Sequence, residues 1–127
     1  MSQLETKLDT GSNEFKANVE FMKAYVERIR IVEQNGRKTE EKYRERAIKK
    51  GKLLPRERLA HLLDPGAPFL ELSSLVGYTM DGDKDGSTAG GNIIVGIGFV
   101  SGRRVLVMVW NYAIKGGTIS AATTKKN

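Results

Sequence analysis

The chain has 127 residues, a formal net charge of +6 and no cysteine, with 39% hydrophobic and 28% charged residues. These values exclude a disulfide scaffold, thiol catalysis and a disordered composition, and no apolar run approaches the roughly 20 residues that span a bilayer. The N-terminus has no apolar signal segment and no evident transit peptide, so we expect a cytoplasmic protein, or a mitochondrial-matrix protein in a eukaryote.

Charge and glycine divide the chain into two regions. Residues 1–60 carry 15 basic and 10 acidic residues, whereas 11 of the 14 glycines follow residue 60. We therefore predict a basic helical leader over residues 1–66 and a glycine-rich, strand-containing region over residues 67–127, which together make an α/β chain.

The leader begins with an amphipathic helix predicted over residues 13–34. Its apolar residues, from Phe15 to Ile29, recur at spacings of four, three, four and three, which places them on one helical face. Ser12 is the predicted N-cap, and Asn35-Gly36 is the predicted end because glycine is common just after a helix C-terminus.

Two shorter helices are predicted to follow. Thr39 is expected to cap one that ends at Gly51, and its few apolar side chains indicate a helix that is solvated or lies against a partner. Pro55 suits the first turn of the next helix, which we expect to end at Asp64-Pro65-Gly66.

Strands dominate the second region. We predict strands at residues 69–72 and 75–78, and a β-hairpin of residues 92–100 and 104–110 around Ser101-Gly102-Arg103. Residues 105–109 are apolar at every position, which predicts a strand buried on both faces. Residues 118–127 are predicted to begin a helix.

An acidic loop at residues 81–86 begins like a calcium site. It has carboxylates at positions 1, 3 and 5 and glycine at position 6 of the calcium-loop pattern. Position 12, where a bidentate glutamate closes such a site, is Asn92, and predicted strands rather than paired helices flank the loop. The pattern therefore favours a solvated turn, and we predict no metal site.

The segment Lys115-Gly116-Gly117-Thr118 follows the apolar strand. Its glycines let backbone N–H groups approach an anion or a carbonyl oxygen, and the lysine adds a positive charge. It lacks the Gly-x-x-x-x-Gly-Lys pattern of a phosphate-binding P-loop. From the residues alone, a tight turn is favoured and a phosphate- or thioester-facing role stays open.

Three further features have structural and functional interpretations. Residues 37–58 hold ten basic and four acidic residues, but the interleaved acids favour a solvated or subunit-contacting helix over a nucleic-acid surface. His61, the single histidine, lies beside leucines and is predicted to pack rather than catalyse. Trp110 is predicted to lie in the core or in an interface.

Four blocks of sequence carry a family resemblance. They are residues 8–18 with Met22, residues 51–59 with 62–72, residues 89–91 with 95–103, and residues 113–118 with 123–126. In this order they resemble the β (carboxyltransferase) subunits of biotin-dependent acyl-CoA carboxylases, of the methylcrotonyl-CoA, geranyl-CoA and propionyl-CoA type. The second block is the most specific, and the resemblance covers almost the whole chain.

The resemblance implies that residues 67–127 begin a crotonase-like (ClpP-type) ββα superhelix. It implies transfer of a carboxyl group from carboxybiotin, carried by a partner α subunit, to the enolate of an acyl-CoA, in an oligomer of β subunits. Backbone N–H groups stabilise the enolate oxygen in such sites. By the resemblance, Lys115, Gly116 and Gly117 line the CoA side of the site, and no catalytic residue falls within this chain.

Departures from the family pattern leave alternatives open. The family usually has Asn-Asp where this chain has Trp110-Asn111, and a proline where it has Ala121. Family members are several times longer, so we predict an N-terminal fragment that is inactive alone. The alternatives are a non-catalytic module that docks on a full-length carboxylase subunit, and a small basic nucleic-acid-binding protein that uses residues 37–58.

Overall fold

The computed structural model of the chain describes residues 6–119 and residue 124. Within these residues the helices are α1 (Asn13–Glu41), α2 (Arg44–Lys49) and α3 (Pro55–Leu62), and the strands are β1 (Leu70–Leu72), β2 (Ile93–Val100) and β3 (Arg103–Trp110). A 3₁₀ turn, Lys115–Gly117, follows β3. The chain divides into two compact units, Met1–Arg30 and Ile31–Asn127, and the division falls within α1.

The first unit contains the N-terminal part of α1. The Ser12 side-chain oxygen accepts the Phe15 N–H at 3.1 Å, which confirms the predicted N-cap. Farther along the predicted apolar stripe, Met22, Val26 and Ile29 are exposed. The amphipathic helix is therefore confirmed, and this part of its apolar face is open among the described residues.

In the second unit α1 continues past Asn35-Gly36, so the predicted helix end is wrong. Gly36 is buried, and a Cβ atom placed on it would lie 2.5 Å from the Ala89 carbonyl oxygen. This glycine permits a close approach between α1 and the loop before β2. Thr39 consequently lies inside α1, where its hydroxyl donates to the Asn35 carbonyl at 3.2 Å, and the predicted second cap is also wrong.

The two short helices are otherwise close to expectation. α2 ends before Gly51, which adopts the left-handed conformation that glycine favours, with φ +63°. α2 exposes Ile48, as expected of a solvated helix. Pro55 opens α3, and Leu59 is the buried residue through which α3 joins the core.

The strands form one antiparallel sheet in the order β1-β2-β3. Val100 pairs with Arg103, which leaves Ser101 and Gly102 as a two-residue turn with φ angles of +51° and +73°. Two left-handed residues are typical of the type I′ turn that matches strand twist, so the predicted hairpin is confirmed. The strand predicted at residues 75–78 is wrong, because these residues form turns.

One face of the sheet packs on α3. Its core is formed by Leu59, Ile94, Val107 and Val109, with Leu63, Phe69 and Val105 packed against it. Gly96 and Gly98 lie on this face, where Cβ atoms would come within 2.7 Å of the Leu70 carbonyl oxygen and 2.6 Å of the Leu63 side chain, respectively. These glycines therefore leave room for neighbouring side chains and for β1.

The opposite face of β3 is open. Leu106, Met108 and Trp110 are 62%, 50% and 46% exposed. The prediction that residues 105–109 are buried on both faces is therefore wrong, because Leu106 and Met108 on this second face are exposed. Trp110 is not a core residue for the same reason.

The C-terminal prediction is tested at only a few residues. Thr118 and Ile119 are not helical, whereas Thr124 is helical. Residues 120–123 and 125–127 of the predicted helix lie outside the described residues. Within residues 6–119, no helix has the length and apolar character needed to cross a bilayer.

Candidate functional site

The Lys115–Gly117 turn is held by the loop that follows β3. Ala113 and Ile114 are buried, and the Gly117 N–H donates to the Ile114 carbonyl at 2.9 Å. Lys115, Gly116 and Gly117 all have left-handed φ angles, at +46°, +67° and +79°. Glycine adopts this conformation at no steric cost, whereas a lysine does so at roughly 1–2 kcal/mol. The two glycines therefore make the turn possible.

The turn presents open backbone at its centre. Gly116 is exposed, and no atom lies within 4 Å of a Cβ placed on it, whereas a Cβ on Gly117 would lie 3.3 Å from the Tyr112 Cα. The Lys115 Nζ donates to the Asp81 carbonyl oxygen at 3.0 Å. A ligand can therefore approach the peptide backbone at Gly116 with a lysine beside it.

The acidic loop that receives Lys115 is organised around Asp83. Its carboxylate accepts N–H groups of Thr88, Gly86 and Thr79 at 2.9, 3.0 and 3.2 Å. Burial acts to raise the Asp83 pKa, but these donors outweigh it and hold the pKa below its ordinary value. The predicted turn is confirmed. Residues 6–119 contain no group of three histidine or acidic side chains placed to hold a metal ion.

A buried polar network lies behind the loop that leads to the turn. Arg56 makes a bidentate ion pair with Glu71 at 2.8 and 3.0 Å, and its backbone N–H donates to Glu40 at 3.0 Å. The Asn111 amide donates to the other Glu40 oxygen at 3.4 Å. Burial raises the Glu40 pKa. The network thus joins α1, α3 and β1 to the residue that follows β3.

Sequence reasoning missed this network. Glu40 lies in the basic stretch of residues 37–58, where the sequence pattern predicts an acid on a solvated or subunit-contacting helix. Its side chain is only 4% exposed and lies 3.3 Å from the Arg56 guanidinium. A single sequence carries no signal for such pairing between elements, because α1 and α3 are brought together only by the fold.

The basic stretch has two kinds of cation. Arg44 pairs with Glu41 and Glu57, and Arg56 belongs to the buried network. Arg46, Lys50 and Lys52, by contrast, line a cavity of about 330 Å³ together with Tyr43, Tyr112 and Gly116. The structure therefore brings part of this stretch beside the Lys115–Gly117 turn, which the sequence did not predict.

His61 does not take the predicted packing role. It is exposed near the end of α3, so that prediction is wrong. Leu59, two residues earlier, supplies the packing on that helix.

Comparison with known proteins gives consistent matches. The family model "Carboxyl transferase domain" matches residues 46–127. The biotin-dependent 3-methylcrotonyl-coenzyme A carboxylase beta1 subunit of Mycobacterium tuberculosis is 48% identical over 87 residues, which are 68% of this chain and 16% of that subunit. The mitochondrial methylcrotonoyl-CoA carboxylase beta chain of Dictyostelium discoideum is 37% identical over 128 residues, covering 98% of this chain and 21% of that one.

A solved structure is similar along nearly the whole chain. The geranyl-CoA carboxylase beta subunit of P. aeruginosa superimposes with a TM-score of 0.85 and 50% identity over 97% of this chain and 23% of that one. The chain thus spans between 16% and 23% of the length of these three relatives.

Proposed function

Because this chain belongs to the carboxyl transferase domain family, we propose that it contributes to a site where a carboxyl group passes from carboxybiotin to an acyl-CoA. The family, and the α/β fold class that begins a crotonase-like superhelix, are confirmed by the family match and by the likeness to a carboxyltransferase subunit over 97% of the chain.

We assign the CoA side of this site to Lys115, Gly116 and Gly117. The observation that carries the assignment is the left-handed turn with exposed backbone at Gly116 and a lysine beside it. The Gly116 N–H can donate to the phosphate, amide or thioester oxygens of CoA, whereas the Gly117 N–H already donates to the Ile114 carbonyl. The lysine attracts phosphate. The buried network through Asn111 supports the role by fixing the loop that leads into the turn.

We propose that other parts of a larger assembly of α and β subunits supply the rest of the reaction. Carboxybiotin is delivered by the carrier domain of an α subunit, the acyl group is methylcrotonyl-like or propionyl-like, and the β subunits form an oligomer in the cytoplasm or mitochondrial matrix. The relatives support this, because one is named a biotin-dependent 3-methylcrotonyl-coenzyme A carboxylase subunit and the other a mitochondrial methylcrotonoyl-CoA carboxylase beta chain. We assign no catalytic residue to this chain and no metal.

Calorimetric titration of the 127-residue chain with CoA tests the assignment. Gly116→Asp keeps a residue type that tolerates the left-handed conformation but adds a side chain and a negative charge where CoA is expected. We expect CoA affinity to fall about tenfold or more, since like charges repel at this distance. Gly66→Asp is the matched control, because Gly66 is also left-handed, at φ +76°, and open. If both variants lower the CoA affinity equally, or if neither variant lowers it, the assignment is contradicted.

A carboxyl-transfer assay tests the second part of the proposal. We expect the isolated chain to give no turnover with methylcrotonyl-CoA and a carboxybiotin donor, because the residues assigned here bind substrate and do not react. Measurable turnover would contradict this.

A non-catalytic docking module is the second candidate function. It is favoured by the open face of β3, where Leu106, Met108 and Trp110 are exposed. Co-purification with a full-length carboxylase α or β subunit, lost in Leu106→Lys, would support it. Elution of the chain alone in the presence of those subunits would count against it.

A further inference from the structure

Three peptide bonds of this chain join an asparagine or an aspartate to a glycine. They are Asn35–Gly36, Asp81–Gly82 and Asp85–Gly86. At such a bond the glycine nitrogen can attack the preceding side-chain carbonyl and close a succinimide ring, because glycine has no side chain to obstruct the approach. The sequence alone ranks Asn35 as the most reactive, since an amide reacts as it stands, whereas only about one aspartate in a thousand is protonated and reactive at pH 7. In the folded chain, reaction also requires that the glycine N–H is free.

The fold protects the Asn35–Gly36 bond. Both residues lie inside α1, where each backbone N–H donates to the carbonyl four residues earlier, so the Gly36 N–H is engaged. Gly36 is buried, and the Asn35 side-chain amide donates to the Asp85 carbonyl at 2.7 Å. The attacking nitrogen and the amide that it would attack are therefore both held in other contacts.

The Asp85–Gly86 bond is protected in a similar way. Gly86 is buried and its N–H donates to the Asp83 carboxylate at 3.0 Å, while the Asp85 carboxylate accepts the Ser87 N–H at 3.0 Å. Hydrogen bonding from the Ser87 side chain and backbone lowers the Asp85 pKa, so the protonated form that reacts is rarer than in an ordinary aspartate. This bond therefore lacks both a free nucleophile and a ready electrophile.

The Asp81–Gly82 bond lies at the centre of an exposed turn. The Asp83 N–H closes this turn by donating to the Met80 carbonyl at 2.9 Å, and the φ angles of Asp81 and Gly82 are +52° and +84°. The N–H of the third turn residue takes no part in the bond that closes a turn of this type. Both central residues are exposed, and no atom beyond the chain neighbours lies within 4 Å of a Cβ placed on Gly82. Within residues 6–119, neither the Gly82 N–H nor the Asp81 carboxylate has a hydrogen-bond partner.

We propose that, of these three bonds, Asp81–Gly82 is the one at which the folded chain isomerises spontaneously to isoaspartate. The Gly82 nitrogen forms a bond to the Asp81 Cγ, and its proton leaves with the carboxyl hydroxyl as water. Water then opens the succinimide at one of its two carbonyls. One opening restores aspartate, and the other breaks the original peptide bond and leaves the chain linked through Cγ. The reaction needs no oxidant, reductant or cofactor, and the mass of the chain is unchanged.

The modification changes the contact made by Lys115. In the unmodified chain the Asp81 backbone carbonyl accepts a hydrogen bond from the Lys115 Nζ at 3.0 Å. In isoaspartate the same carbon belongs to a free carboxylate, so the lysine faces a charged oxygen in place of a neutral one. The age of the chain is therefore registered at the Lys115–Gly117 turn.

The test is incubation of the full 127-residue chain at neutral pH, in buffer and in urea, followed by peptide mapping that separates aspartate from isoaspartate. In the folded chain we expect isoaspartate at Asp81 to exceed that at Asp85 by about tenfold or more, because the Gly86 N–H must first leave a charged acceptor. In urea the two aspartates should react at similar rates, and Asn35 should react faster than either. Equal isoaspartate at Asp81 and Asp85 in the folded chain, or loss of Asn35 as fast in buffer as in urea, would overturn the proposal.

A matched pair of variants removes the difference in carboxyl ionisation. Asp81→Asn and Asp85→Asn each place a neutral amide before glycine, and deamidation is then read from the gain in mass. We expect Asp81→Asn to deamidate about tenfold or more faster than Asp85→Asn in the folded chain, because only Gly82 has a free N–H. Circular dichroism verifies that both variants are folded. Equal deamidation rates in two folded variants would contradict the assignment.

The contact with Lys115 has its own measurement. In the purified isoaspartate form, acetylation of Lys115 by a limiting amount of an acylating reagent should slow by up to about fivefold, as expected for an amine held in an exposed ion pair. Lys84, in the same loop and exposed, is the internal reference. If Lys115 reacts at the same rate in both forms relative to Lys84, the predicted change in its contact is wrong.

Discussion

Gly36 is required by its contact with Ala89 rather than by its conformation. Glycine inside a helix normally costs about 1 kcal/mol relative to alanine. At this position, however, the methyl group of alanine would meet the Ala89 carbonyl oxygen at 2.5 Å, and that oxygen belongs to the backbone. The residue that weakens α1 as an isolated helix therefore allows α1 to pack.

We predict that Gly36→Ala destabilises the chain by about 1–2 kcal/mol, because overpacking against backbone outweighs the gain in helix propensity. Urea denaturation followed by circular dichroism measures the change. Lys38→Ala, an exposed position two residues later in α1, is the control and should change the free energy of unfolding by less than about 0.5 kcal/mol. A Gly36→Ala variant as stable as the wild type would contradict the packing argument.

Asp83 predicts a specific dependence of stability on pH. Its pKa is held low by three backbone N–H donors against the effect of burial, so the ionised form stabilises the folded state above the unfolded pKa. That stabilisation is lost as the pH falls through the lower, folded-state value. Asp83→Asn should therefore lower stability at pH 7 by about 1–2 kcal/mol and make the acid limb of the pH–stability curve less steep.

Asp81→Asn is the control for this prediction, because the Asp81 side chain is exposed. Lys115 donates to the Asp81 backbone carbonyl, which the substitution leaves in place. The curves for wild type and Asp81→Asn should coincide. If Asp83→Asn kept the full acid limb of the wild type, the backbone contacts would not be the source of the low pKa.

Between elements, the carboxylate of Asp64 connects the end of α3 to the hairpin turn. Its two oxygens each accept a turn N–H, from Ser101 and Gly102, at 2.7 Å. The sequence predicted Asp64 only as part of a helix end. The structure shows that the same side chain also satisfies both donors of a turn 37 and 38 residues away.

We predict that Asp64→Ala destabilises the chain by about 1–2 kcal/mol through loss of two hydrogen bonds to a charged acceptor, measured by thermal unfolding. Asp9→Ala provides the comparison, because Asp9 accepts the Gly11 N–H in an exposed local turn and its loss should cost less than about 0.5 kcal/mol. An equal cost for the two substitutions would show that the link between α3 and the hairpin adds nothing.

The local sequence pattern was sufficient to predict those caps and turns that depend only on neighbouring residues. Ser12, Pro55 and the pair Ser101-Gly102 each determine a cap or turn within a few residues, and all three predictions agree with the structure. The role of Gly36 could not be predicted from its neighbours, because it depends on a close contact with Ala89, more than 50 residues away. The cavity beside the Lys115–Gly117 turn was missed for the same reason, since Lys50 and Gly116 become neighbours only after folding.

At the scale of the whole molecule, one face of the sheet is packed and the other is exposed along β3, although Ile93 and Val95 of β2 are buried on that second face. α3 covers the first, and the second exposes Leu106, Met108 and Trp110 of β3 together with Leu70 of β1. Contiguous apolar surface of this kind is uncommon on isolated soluble chains and binds hydrophobic probes.

We predict that the chain binds the dye ANS at this face, and that Leu106→Lys/Met108→Lys greatly reduces the fluorescence while changing the free energy of unfolding by less than about 1 kcal/mol. The small cost follows because both side chains are already half exposed or more. Val107→Lys is the contrasting variant, since Val107 is buried in the core and the charge should unfold the chain. Undiminished dye binding by the double variant would place the apolar surface elsewhere.

The buried network of Glu40, Arg56 and Glu71 has a consequence for how relatives of this chain can diverge. Replacing Arg56 alone leaves the buried Glu40 carboxylate without its cation, which is among the more costly changes a folded chain can undergo. Replacing the three residues together by apolar ones of similar volume avoids that cost. We therefore expect natural selection to retain or exchange these three positions as a set, so that they covary across descendants.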